Sequence, residues 1–277
     1  MSFRRILFAS FLVAALTVNT AWAEPPAPKD GPLGMKFVPL PKGTFYMGWD
    51  GEKKGKKTEI KKDFEIAIHT VTQGQWMEMM GNNPSYFSRD GEDGKAKVKD
   101  ISDTDLKRFP VECVSWNDAQ DFIKKLNDKE RGSGWTYRLP MEAEWEYACR
   151  GGATTEEECS FHFYFAKPTN DISSEQANFN GAHPYGNAIK RKNLERPAKV
   201  GSYKPNKIGL YDMHGNVWQW CADLIGKEGS NRVFRGGSWL LDGSECRVGY
   251  RFFRNPAPSF RDGSLGFRLA RVSSGGK

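Results

Sequence analysis

A chain of 277 residues is long enough for one large domain or two ordinary ones. Its net charge of +7 is mild, and much of the excess lies in one run: Lys53, Lys54, Lys56, Lys57, Lys61 and Lys62. No stacking aromatics are interleaved with those lysines, which argues against nucleic-acid binding, and no segment past the N-terminus has the roughly 20 apolar residues of a membrane-spanning helix.

Met1–Ala23 has the make-up of a secretory signal peptide: Arg4 and Arg5, then the apolar run Ile6–Val18, then the small-x-small site Ala21-Trp22-Ala23. The apolar run is too short to span a bilayer, and no cysteine follows it to carry a lipid. The mature protein is therefore expected to be exported, periplasmic or extracellular, with no membrane association after cleavage. Glu24–Pro32 reads as a proline-rich linker. Because the informative motifs are spread along the whole length, one domain is expected over 33–272, with 273–277 as a tail. Lysines in the 53–62 run suit a solvated loop and a strand edge protected against pairing.

Three helices are predicted. Thr72 and Gln75 form a capping box for Gln73–Met80. Ser115 and Asp118 form a similar one for a helix whose apolar face is Trp116, Ala119, Phe122, Ile123 and Leu126. The third is Met141–Cys149, with Pro140 near its first turn, where a missing N–H costs little. The remainder reads as short strands and long loops, and 29 glycines suit a chain with many positive-φ turns. Trp116, Trp145, Trp218 and Trp220 are expected as core anchors in place of extensive regular packing.

The five cysteines are Cys113, Cys149, Cys159, Cys221 and Cys246. Export favours disulfides, and an odd count leaves at least one thiol over or paired between chains. His69, His162, His183 and His214 are scattered without metal-ligand spacing. There is no Gly-x-Ser-x-Gly elbow, Walker loop or dinucleotide fingerprint. Most of Arg232, Arg235, Arg247, Arg251, Arg254 and Arg268 are expected to bridge loops from buried positions, with a minority left to line a groove.

Six motifs carry a resemblance: HTVTQGQW (His69–Trp76), FPVECVSWNDA (Phe109–Ala119), YRLPMEAEWEYACRGG (Tyr137–Gly152), GLYDMHGNVWQW (Gly209–Trp220), the Gly-Gly-Ser-Trp turn at 236–239, and LGFRLA (Leu265–Ala270). In this order, after an opening MKFVPLPKGTFYMG (Met35–Gly48), they resemble the formylglycine-generating enzyme, or sulfatase-modifying factor, family. The resemblance implies an α+β fold related to the C-type lectin fold and low in regular secondary structure. It also implies a reaction, the conversion of a sulfatase cysteine to formylglycine.

Active members carry two cysteines past the Gly-Gly-Ser-aromatic turn, and here those places fall on Leu241 and Cys246. Ser238 matches a serine beside that pair, so Cys246 and Ser238 are the candidate catalytic residues. Copper(I) is a soft ion selected by thiolate sulfur. Copper is not expected here, because Leu241 supplies no sulfur. The family's calcium turn maps onto the Asp212 side chain, the Gly215 and Val217 carbonyls and the Gln219 side chain, where the family usually has Glu. This oxygen set either holds a structural calcium or is a hydrogen-bonded turn without an ion. A second family calcium site, at Asn178 and Phe179, is not expected to bind, since Lys190–Lys192 stands near the place of its carboxylate. Of two disulfides seen in some members, one pair falls on Ile123 and Leu269. In the other, Arg251 stands opposite Cys149, leaving Cys149 free or bridged elsewhere, with Cys246 a candidate.

The leading expectation is an exported protein that is not a standard copper-dependent oxidase. It has either a binding role toward a protein, peptide or glycan, or divergent chemistry in the same cleft, as in exported relatives that mature the pyoverdine chromophore. The alternative is formylglycine formation with a sulfatase as partner.

Overall fold

The computed structural model describes residues 26–49, 54–92, 94–226, 229–252 and 256–275. The signal-peptide segment Met1–Ala23, Lys53 and Arg254 lie outside them. Two helices form where the capping residues place them. In α1 (Gln73–Met80), Thr72 Oγ1 accepts from Gln75 N and Gln75 Oε1 accepts from Thr72 N. In α4 (Trp116–Lys129), Ser115 and Asp118 exchange the same pair of bonds. These bonds satisfy N–H groups that a helix start leaves orphaned. Ala119, Phe122, Ile123 and Leu126 are buried as the periodicity requires, and the Phe122 ring stacks on Trp76 at 5.5 Å. The third helix, α5 (Glu142–Cys149), starts one residue later than expected. Met141 stands at the cap with extended backbone, its N–H bonded to the Glu144 carboxylate. Two single-turn helices, α2 (Gly94–Lys97) and α3 (Asp103–Leu106), complete the set.

A five-stranded sheet runs in the order β1 (Lys29–Asp30), β2 (Lys36–Leu40), β5 (Phe64–Ala67), β12 (Ala270–Ser273), β6 (Trp135–Arg138). All of its neighbours are antiparallel. A three-stranded sheet has β9 (Trp218–Leu224) between β10 (Arg232–Arg235), antiparallel, and β11 (Leu265–Phe267), parallel. Two ribbons, β3 (Gly43–Met47) with β4 (Lys56–Ile60) and β7 (Phe163–Tyr164) with β8 (Pro168–Thr169), stand apart. The fold is α+β with little regular structure, as the sequence suggests.

The folded part starts before Leu33. Lys29 and Asp30 pair with β2, and the Lys29 ammonium meets the buried Glu65 carboxylate, which also holds Arg271 at 2.7 Å. A charged residue at the end of the proline-rich leader thus adds a second cation to a carboxylate that Arg271 already pairs.

Trp145, Trp218 and Trp220 are buried core anchors. Trp116 is half-buried, with its indole N–H on the Cys221 carbonyl and the Arg232 guanidinium 3.9 Å from its ring. Arg235 is fully enclosed. It donates to Glu142 and Glu146 at 2.6 Å each, and Arg150 closes on Glu146 at 2.8 Å. This network ties β10 to α5, so Arg235 has the bridging role expected of the C-terminal arginines.

Candidate functional site

β10 runs directly into Gly236 and Gly237, whose φ values of 104° and 75° belong to the left-handed region that glycine tolerates. Close approach also requires glycine here. A Cβ on Gly237 would sit 2.5 Å from Cys246 Sγ, and one on Gly236 would sit 3.1 Å from the Trp145 ring. The turn therefore passes directly over the thiol, and the next residue, Ser238, offers its backbone N–H to that sulfur. The two candidate catalytic residues are brought together.

They are also sealed. Cys246, at the end of a 3₁₀ turn over Gly243–Cys246, is 0% exposed, as is Ser238. Burial, with Glu245 and Asp242 adding negative charge, pushes the Cys246 thiol far above its ordinary range. It is a protonated thiol at neutral pH, and the thiolate is the form that attacks or binds metal. The Ser238 hydroxyl is buried without a hydrogen-bond partner among the described residues. Leu241 packs its side chain against the main core cluster, and its carbonyl accepts from Asn180 N at 2.9 Å.

The candidate Cys149–Cys246 bridge is not formed, and all five cysteines are free thiols. The His214 ring is the physical reason. Its Nδ1 contacts the Cys246 carbonyl at 2.8 Å, while its Nε2 accepts from Tyr164 N at 2.8 Å and lies 3.6 Å from Cys149 Sγ. An accepting Nε2 places the proton on Nδ1, and burial lowers the His214 pKa to about 4. A neutral imidazole thus spans the space between the Cys246 backbone and the Cys149 thiol.

The two side chains of the expected calcium turn, Asp212 and Gln219, are engaged in hydrogen bonds within the protein. Gln219 Oε1 accepts from Trp145 Nε1 at 2.8 Å and from Arg268 Nε at 2.7 Å. Both neighbours can only donate, which fixes the amide orientation. Gln219 Nε2 accordingly donates to the Asp212 carbonyl. Asp212 accepts from Gly201 N, and burial raises its pKa to about 6. Gly215 turns its N–H onto the Gly236 carbonyl at 2.7 Å, and the Val217 side chain is buried. The positive charge of the turn is supplied by the enclosed Arg268, which also holds the Ala67 and Tyr211 carbonyls. Asn178 donates its amide nitrogen to the Arg196 carbonyl and to Asn216, and Phe179 is buried. Among the described residues no group of three His, Cys, Asp or Glu side chains converges.

One feature beside the turn escaped the sequence reading. The Glu112 carboxylate is fully buried, accepts from Tyr86 N and Phe87 N at 2.9 Å each, and has its pKa raised to about 7 by burial. Its neighbour Cys113 has φ 58°, uncommon for a side-chain-bearing residue, and its thiol is pushed to about 12 by burial and by Glu112. The Trp239 indole caps this corner, donating to the Gly263 carbonyl and meeting Phe87 edge-on at 5.3 Å. The Glu-Cys pair inside FPVECVSW was the available signal. A glutamate directly before a cysteine between apolar residues is hard to place on a surface.

Residues 24–273 match the family model for the sulfatase-modifying factor enzyme 1-like domain. A chaperone protein LppX from Paenibacillus barcinonensis is 28% identical over 70% of this chain and 75% of its own. A formylglycine-generating enzyme from Streptomyces coelicolor is 35% identical over 60% of this chain, which spans about half, 54%, of that enzyme. Among solved structures, Treponema denticola variable protein 1 superposes with a TM-score of 0.68 at 26% identity, covering 88% of this chain and 99% of that one.

Proposed function

The chain belongs to the sulfatase-modifying factor enzyme 1-like domain family, and from that premise we propose that it is a member without the copper-dependent oxidase activity, serving instead to bind a protein or peptide ligand. The observation that carries this reading is Leu241 in the place of the second sulfur, together with a Cys246 that is fully buried. A copper(I) site of two thiolates has here one thiol, enclosed in the core. Recognition finds support on the same loop: Leu240 is 53% exposed beside a half-buried Trp239. Apolar anchors of this kind, on a loop held by a rigid scaffold, suit an interface. Similarity to proteins named a chaperone, an enzyme and a variable protein fits a scaffold that does not dictate one reaction. Export through Met1–Ala23 belongs to the same proposal. No helix among the described residues is long and apolar enough to cross a membrane.

The test is to incubate the protein with copper, reductant, oxygen and a cysteine-containing sulfatase peptide, and to follow peptide mass. No aldehyde is expected. Turnover that disappears in Cys246→Ser would overturn the proposal. Copper binding gained by Leu241→Cys would identify the leucine as the determinant.

A further inference from the structure

After β5 the chain passes His69 and Thr70 before Thr72 caps α1, and this stretch lines a cavity of about 380 Å³ together with Lys36, Ala67 and Arg108. That volume lies at the lower end of the range for small-molecule sites, ~300–1,000 Å³. Two side-chain atoms of these lining residues lack hydrogen-bond partners among the described residues. Thr70 is 1% exposed, yet its Oγ1 has no hydrogen-bond partner, and His69 Nδ1 is likewise buried and unmatched. Buried polar atoms in native proteins are nearly always satisfied, so two together beside a cavity mark a place where something else completes them.

The electrostatics define what that is. Burial, then Arg268 and Arg108, lower the His69 pKa to about 4, so the imidazole is neutral and can donate from one nitrogen and accept at the other. The Arg108 guanidinium is exposed and pairs with no carboxylate among the described residues, whereas Lys36 is engaged with Asp30 at 3.0 Å. Arg268 reaches the same wall from behind, donating to the Ala67 carbonyl at 2.7 Å.

We propose that this cavity binds a small organic carboxylate, with its charge on the Arg108 fork and its polar groups on Thr70 and His69. One planar guanidinium matches one carboxylate in a two-bond pairing. A phosphate dianion would face a single accessible guanidinium, leaving much of its charge unmatched. None of its lining residues belongs to the Gly-Gly-Ser-Trp turn, and its occupancy is independent of whether that turn has any activity.

The full mature protein is titrated with acetate, benzoate, L-glutamate and inorganic phosphate while the His69 ring proton is followed by NMR, assigned with His69→Gln. Benzoate or glutamate is expected to shift that resonance saturably, and Arg108→Gln to weaken binding at least tenfold with its near-ultraviolet circular dichroism unchanged. Thr70→Val is expected to weaken it as well, by severalfold. The absence of a saturable shift with any carboxylate at millimolar concentration overturns the proposal. So does binding of phosphate alone, or carboxylate binding that is indifferent to Arg108→Gln, an exposed position where folding is not at stake.

Discussion

The turn around Cys246 and the cavity beside His69 hold the same kinds of atoms and use them in opposite ways. At the turn, a thiol, a hydroxyl and a ring of charges are packed to zero exposure, and the charges answer one another: Arg235 with Glu142 and Glu146. At the cavity, a buried hydroxyl and a buried imidazole nitrogen have no hydrogen-bond partner among the described residues, and an exposed guanidinium forms no ion pair with them. Family chemistry is anticipated at the first place, while unspent binding capacity lies at the second. Resemblance locates a site, but only packing tells whether reactive groups are available to a ligand.

The largest effect that would sharpen this contrast is at Arg235. Removing it takes the shared partner from two buried carboxylates, although Glu142 keeps Arg251 and Glu146 keeps Arg150. Breaking a buried pair from one side costs about 3–5 kcal/mol, and the lower end is expected here. Arg235→Ala should lower the free energy of unfolding by that amount, seen as a lower denaturant midpoint at an unchanged slope. A loss below about 1 kcal/mol would mean that the turn is far looser than a sealed one.

Next comes Glu112, beneath Trp239. The folded protein holds its proton up to a pKa of about 7, whereas the free side chain releases it near 4.5. Between those values the folded state binds more protons than the unfolded one, so this group's contribution to stability falls as pH rises through the window and levels off above it. The fall is on the order of 3 kcal/mol. Glu112→Gln, which cannot titrate, should flatten that part of the stability profile. An unchanged slope would show that the carboxylate is already ionised and the corner open to water.

The smallest expected effect is that of calcium. Since Arg268 supplies the positive charge at Gln219, adding or chelating calcium should leave the melting temperature unchanged, in the wild type and in Asp212→Ala alike. A calcium-dependent rise that Asp212→Ala abolishes would reinstate the ion and require the Gln219 amide to turn away from Arg268.

Much of the local architecture was legible beforehand. The Thr72–Gln75 and Ser115–Asp118 boxes and the apolar face from Ala119 to Leu126 depend on residues three or four apart, and such interactions survive in any context. The Gly-Gly-Ser-Trp turn and the missing sulfur at Leu241 were equally plain, because they are matters of residue type at fixed spacing. The tertiary structure alone decided what those residues do. How hard Cys246 is to ionise depends on its burial and on the charges of Glu245 and Asp242. Whether it pairs with Cys149 depends on His214, thirty-two residues away. Whether Gln219 can bind an ion depends on Arg268, forty-nine residues on. Protonation and ligation are set by desolvation and by partners brought in from distant segments, and no pattern of neighbours along the chain encodes either.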